Sequence, residues 1–187
     1  VTPGVGRYPR RRDAAASRDR LLTAASELFA DRGYDRTTAR DIGERADVDP
    51  TMIARYFGGK VQLFIAVLRA EMPGRPGDLL DPERLRSLLE RTGRQGPGPG
   101  PVLQAAIRPY DNPEAQAAAL AELEHRVLAP LRERFAREGD EQAELRAEIL
   151  AAAFIGVVLG RHAGTFGCLS SATTDQLLAL LPRLLDM

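Results

Sequence analysis

The stretch TTARDIGERADVDPTMIARYFGGK, from Thr37 to Lys60, restricts the fold more than any other part of the chain. Thr38-x-x-Asp41 reads as a capping box with Asp in the usual Glu position, so a helix opens at Thr37 or Thr38. Ile42 and Ala46 fall on its inner face, and Gly43 lets a second backbone come close. Asp47 suits the turn, because Asp tolerates a left-handed backbone better than most residues. Asp49 caps a second short helix with Pro50 at its first position. Met52 or Ile53, together with Phe57, anchors that helix, and Gly58-Gly59 ends it. Two short helices joined by so tight a turn make a helix–turn–helix, a unit that needs supporting helices on either side.

Both supports are legible. Ser17 is the expected N-cap of a helix whose apolar face carries Leu21, Leu22, Ala25, Leu28 and Phe29, with Gly33 as its left-handed stop. Lys60 opens another helix bearing Leu63, Phe64, Val67 and Leu68. A lysine at that end opposes the helix dipole and suggests an anionic partner such as a DNA phosphate. Pro73, Gly74, Pro76 and Gly77 then break the pattern and mark a domain boundary. Beyond it, Asp81-Pro82 starts a helix with Leu85, Leu88 and Leu89 on one face. A turn-rich loop over 93–101 precedes a short apolar helix from about Val102 to Arg108. Asn112-Pro113 starts a long helix through Arg137 with Leu120, Leu123, Val127, Leu131 and Phe135 inward, and Pro130 should kink it. A further helix runs from Glu141 to Ala163. Thr173-x-x-Gln176 caps the last, which carries Leu177, Leu181, Leu184 and Leu185. The expected fold is all-α, with about nine helices and no strands.

Composition narrows the class. Hydrophobic residues make up 44% and aromatic residues 5% with no Trp, so the core is aliphatic and favours helices. The net charge is zero, which argues against a general nucleic-acid coat. Yet Arg7, Arg10, Arg11, Arg12, Arg18 and Arg20 crowd the start, opposed there by Asp13 and Asp19 alone. Residues 1–16 are expected as a flexible basic arm, either lying along DNA or merely solvated. The lone Cys168 forms no internal disulfide, no apolar run approaches the roughly 20 residues that span a bilayer, and no signal peptide is expected. A cytoplasmic protein without membrane contact follows. Two histidines and one cysteine offer little catalytic or metal chemistry, and no Walker loop, HExxH or G-x-S-x-G occurs. Neither an enzyme nor a metal or cofactor protein is expected.

Over about 50 residues, from near Leu21 to Leu68, the leading helix, the Thr37–Lys60 stretch and the following apolar helix resemble the tetracycline-repressor (TetR) family of bacterial transcription regulators. The resemblance implies a helix–turn–helix DNA-binding domain over 17–72 and a ligand-binding and dimerisation domain over 73–187. Its implied partners are a near-palindromic double-stranded operator, a small-molecule effector and a second copy of the chain. Residue by residue, it implies that Thr37 and Thr38 hold phosphate at a helix start. Thr51, Met52 and Arg55 then face base edges, while Tyr56 and Lys60 bind phosphates. Ala54 departs from the family's usual Tyr, Thr51 from a small Gly or Ala, Asp47 from a turn Gly, and Asp49 from a capping Ser.

In the second domain, Ala152, Gly156, Gly160 and Gly164 recur every fourth residue and form a smooth strip. That strip suits close packing against a symmetry mate, with Leu177, Leu181 and Leu184 contributed by the last helix, or packing within one chain. Ile107, Leu123, Val127, Phe154 and Val158 are candidate walls of an effector pocket. Tyr110, His125, Arg126 and His162 are its candidate polar contacts. A repressor relieved or engaged by ligand is the leading expectation. The alternative is a helical dimer that senses a ligand or binds protein without reading DNA.

Overall fold

The computed structural model describes residues 9–71, 79–91 and 99–185, which are helical with no strand among them. Helices α1 (Pro9–Arg32), α2 (Ala39–Ala46), α3 (Thr51–Phe57) and α4 (Lys60–Glu71) form the first group. Helices α2 and α4 pack on α1, and α3 packs on α4. The second group comprises α5 (Pro82–Arg91), α6 (Pro101–Ala105), α7 (Pro113–Leu123), a π turn over Glu124–Leu128 and α8 (Ala129–Arg137). It continues with α9 (Ala143–Ala163), α10 (Gly167–Ser171) and α11 (Thr174–Leu185). The short helix α10 adds to the expected set. The expected domain boundary at Pro73–Gly77 lies outside the described residues, as do most of the 93–101 loop and residues 1–8.

Helix α1 begins well before Ser17, so the expected flexible arm is helical from Pro9 onward. The run Ala14-Ala15-Ala16 explains this: alanine has the highest helix propensity, and it extends the helix through the expected cap. The stops fall as expected. Gly33 (φ 79°) ends α1, with its N–H donating to the Phe29 carbonyl at 3.0 Å. Asp47 (φ 51°) ends α2 in the left-handed region, and Gly58 (φ 90°) ends α3.

Pro130 acts as expected on the long helix, in a specific form. Proline has no N–H and leaves the carbonyl four residues earlier, that of Arg126, without its helical donor. The chain answers with the π turn just before it. Arg84 of α5 donates an Nη2 hydrogen bond to the Arg126 carbonyl at 3.4 Å. On the same helix Leu120, expected inward, is 43% exposed, while Leu123, Val127, Leu131 and Phe135 are buried.

The core is mostly Leu, Ala and Val, with one aromatic cluster. The rings of Phe29 and Phe64 meet edge-on at 5.1 Å, and Tyr34 lies 4.8 Å from Phe64. Tyr110, from the connection between α6 and α7, closes the cluster at 5.5 Å from Phe64 and 5.9 Å from Tyr34. The two helix groups therefore share this core.

Gly43 is required by the contact between α2 and the turn. A Cβ there would sit 2.6 Å from Pro50 Cγ and 2.8 Å from the Val48 carbonyl oxygen. Gly43→Ala forces backbone apart and should destabilise the chain by about 1–3 kcal/mol. Urea unfolding should show the midpoint fall with an unchanged slope.

Candidate nucleic-acid interface

The caps position the two short helices. Thr38 is the N-cap of α2, and its hydroxyl accepts from the Asp41 N–H at 3.1 Å. The Asp41 carboxylate accepts in return from the Thr38 N–H at 2.8 Å and hydroxyl at 2.7 Å. Those bonds, that from the Thr38 N–H first, hold the Asp41 carboxyl below its ordinary range. At the start of α3, Asp49 accepts from the Thr51 N–H at 2.8 Å and from its hydroxyl at 2.7 Å. Asp49 is likewise held low, mainly by the Thr51 hydroxyl.

Thr37 departs from its expected role. Its side chain is fully buried, and its hydroxyl donates to the Gly33 carbonyl at 2.8 Å and the Leu28 carbonyl at 3.3 Å. Its N–H goes to the Tyr34 carbonyl at 3.3 Å. Thr37 thus locks the α1–α2 connection and has no group left for a phosphate. Thr38 is exposed, but a phosphate reaches its hydroxyl or N–H only by displacing the Asp41 carboxylate.

Helix α3 buries Ile53 and leaves Thr51, Ala54 and Arg55 exposed, with Met52 and Tyr56 half-buried against the core. Arg55 forms no ion pair among the described residues, whereas Arg40 pairs with Glu44 at 2.8 Å and Arg45 with Glu27 at 2.6 Å. Lys60 is half-buried with its Nζ 3.9 Å from the centre of the Tyr34 ring. Burial lowers its pKa, and the carboxylates of Asp35 and Asp41 oppose that shift. Arg18 of α1 lies 4.7 Å from the Phe57 ring centre, at the end of α3. It is a cation beside the exposed helix that the arginine-rich start hinted at without placing.

The family model for bacterial regulatory proteins of the tetR family matches residues 21–67, and the tetracyclin repressor-like C-terminal domain model matches residues 82–186. The chain belongs to the tetR family. Among curated relatives, the HTH-type transcriptional activator FasR of Mycolicibacterium smegmatis is 42% identical over 52 residues, 28% of this chain and 24% of that protein. The HTH-type transcriptional repressor KstR2 of the same species is 42% identical over 55 residues, 29% of this chain and 27% of that protein. The match to these curated relatives therefore spans about a quarter of their length. Among solved structures, a transcriptional regulator from Saccharomonospora viridis in complex with choline shares the fold with a TM-score of 0.60 and 20% identity, covering 92% of this chain and 96% of that one.

In the C-terminal domain of this tetR-family chain the expected pocket residues separate. Ile107 and Tyr110 line a cleft of about 460 Å³ between the α1–α2 and α6–α7 connections. Leu123, Val127 and Phe154 surround a gap of about 10 Å³, near the size of one water. Val158 is buried, Arg126 pairs with Glu122 at 2.7 Å, and His125 and His162 are exposed. Neither histidine lines the cleft or the gap. No helix among the described residues is long and apolar enough to cross a membrane.

The expected dimer residues also divide. Gly160 is covered within the chain, since a Cβ there would lie 2.9 Å from Phe166 of the segment before α10. Gly164 (φ 73°) is the left-handed cap of α9. Leu177 and Leu181 are buried on the α11 face that meets α5, and Leu184 falls beyond the side chains described. Ala152 and Gly156 stay exposed, next to Leu145 (54% exposed) and Ile149 (59%) on the same face of α9. Leu180 of α11 is 54% exposed.

The Asp41 bonds make the α2 cap pH-dependent. A carboxyl held below its unfolded value stabilises fully above about pH 3.9 and loses that contribution as pH falls through the folded value. Urea midpoints of wild type and Asp41→Asn should differ most near neutrality and converge below about pH 3.9.

Proposed function

We propose that this chain is a homodimeric transcription regulator that reads a near-palindromic DNA operator and answers to a small organic effector. Residues 17–72 bind DNA, and residues 73–187 carry dimerisation and ligand binding. The observation that carries this reading is α3. It is a short helix anchored by buried Ile53, with Thr51, Ala54 and unpaired Arg55 turned outward between two capped ends. That is the geometry of a helix offered to a major groove. Family membership supports the same reading, as does the coverage of the chain by both family models.

Arg55 is the base reader, suited to a guanine through O6 and N7. Thr51 and Met52 flank it, with Met52 giving mostly support. Lys60, Tyr56 and Thr38 meet phosphates, and Arg18, beside Phe57 at the end of α3, is added to them. The Tyr34 ring holds the Lys60 ammonium at the start of α4, so the cation is positioned before DNA arrives. Ala54 provides no polar reach, which places more of the sequence discrimination on Arg55.

The dimer uses the exposed α9 face of Leu145, Ile149, Ala152 and Gly156 with Leu180 of α11. Among the described residues these are exposed, four of them along one face of α9. Such pairing sets two α3 helices about 34 Å apart, matching successive major grooves. The regulator works in the cytoplasm as a binding protein, not as an enzyme. One curated relative is named an activator and another a repressor. We take repression, relieved by ligand, as the leading mode. A solved relative holds choline, which supports an organic effector without fixing its chemistry.

Binding of operator and random duplex at several salt concentrations tests the DNA reading. Lys60→Ala should weaken binding to all sequences alike and reduce the log–log salt slope by about 0.9. Arg55→Ala should relax discrimination at one position per half-site, by about 1–3 kcal/mol. Equal affinity of wild type for operator and random duplex would overturn it. For the dimer, light scattering after size exclusion should give a dimer for wild type and a monomer for Ile149→Glu.

A further inference from the structure

The cleft of about 460 Å³ lies where the two helix groups meet, between the α1–α2 connection and the α6–α7 connection. Its volume suits a small organic ligand. One wall is apolar and open: Ile107 is 50% exposed, an unusual state for an isoleucine, with Leu159 and the Tyr110 ring beside it. The other wall is charged. Asp31 pairs with Arg32 at 3.4 Å, and Asp35 accepts the Asp111 N–H at 3.2 Å. The remaining charged side chains of the lining are Arg36, Arg108 and Asp111. Neither Arg36 nor Arg108 forms an ion pair among the described residues. Asp35 and Asp111 balance the charge of Arg36 and Arg108, so the lining carries no net charge; what it offers an anion is two guanidiniums without an ion pair beside an exposed apolar wall.

We infer that this cleft binds a small organic anion with an apolar tail, a carboxylate in the simplest case, and that its occupancy is transmitted to Lys60. Arg36 and Arg108 take the anionic head, since a guanidinium matches a carboxylate with two parallel hydrogen bonds. Ile107, Leu159 and Tyr110 cover the tail. Transmission is short. Tyr34 also lines the cleft, its ring lies 5.9 Å from Tyr110, and the Lys60 Nζ sits 3.9 Å above it. The polar bonds beside the cleft that a ligand would part or clamp include Gln104 Nε2 donating to the Ala30 carbonyl at 2.7 Å and the Asp111 N–H donating to Asp35. A ligand here therefore acts on the end of α1 and on the cation at the start of α4 without crossing the regulatory core. The binding step stands on the cleft alone; the transmission step rests on the DNA reading proposed above.

Calorimetric titration of the full chain with octanoate and 4-phenylbutyrate, each beside its neutral amide, tests the site. Saturable binding of at least one acid is expected, with its amide weaker by about tenfold or more. Arg108→Gln should weaken the acid by a similar factor, and Ile107→Trp, which fills the cleft, should abolish binding. Acetate and inorganic phosphate, lacking a tail, should not saturate. No saturable binding of either acid, equal binding of acid and amide, or binding unchanged in both variants would overturn the site. For transmission, operator affinity is measured with and without saturating acid. A change of about fivefold or more that Ile107→Trp removes is expected, and an unchanged affinity overturns that step. Operator binding by the ligand-free chain reports on the DNA reading separately, so either can fail while the other stands.

Discussion

Four aromatic rings hold this molecule's two halves in one core. The chain is poor in aromatics and lacks Trp, yet Phe29, Tyr34, Phe64 and Tyr110 come together where α1 ends, α4 runs and α6 gives way to α7. Aromatic pairs in offset or edge-on contact contribute about 0.5–1.5 kcal/mol each beyond the area they bury. Polar contacts across the same junction are single bonds, such as Gln104 to Ala30 and Gln62 to Glu114 at 3.2 Å. Loss of the ring contacts would leave the packing of α4 on α7 and these polar contacts to set the angle between the halves. Tyr34 has the further task of supporting Lys60, so the cation at the start of α4 depends on the same cluster as the junction.

Features governed by neighbours in sequence were legible before any coordinates. Thr38 and Asp41 form their capping box, Asp47 takes the left-handed turn, and Gly33 and Gly58 stop their helices, because each is decided within about four residues. Pro130 announces a disturbed helix for the same reason. Thr37 was not legible: its sequence context suits a cap, and only the fold reveals that its hydroxyl is enclosed between the Leu28 and Gly33 carbonyls. Ser17 misled in the opposite direction, since a good cap yields to an alanine run that keeps the helix going.

The C-terminal domain shows where pattern reading stops. An apolar stripe tells that a helix face is covered, but not by what. Leu177 and Leu181 belong to such a stripe and are covered by their own chain, whereas Leu180, one position away, faces out. The fourfold small-residue spacing on α9 likewise mixes three causes: Gly160 makes room for Phe166, Gly164 caps the helix, and Ala152 and Gly156 lie open. Equal spacing therefore carries no equal role. His125 and His162, expected as polar contacts of a pocket, lie on helices that carry its expected walls, yet both face solvent.

The junction also limits what a ligand must do. To move a two-state regulator from mostly one form to mostly the other takes a differential affinity of about 5.5 kcal/mol. A ligand enclosed in the regulatory core would have to spread that difference along α7, the π turn and α4 before it reached α3. One seated against Tyr34 and Tyr110 acts on groups that already touch both halves. Distance is then not the obstacle. The requirement becomes that the ligand fit one relative placing of the α1–α2 and α6–α7 connections better than another. The aromatic cluster beneath those connections resists continuous deformation and favours discrete packings. A junction held by packed rings is suited to switching between discrete arrangements, and Lys60 lies on the ring that would move.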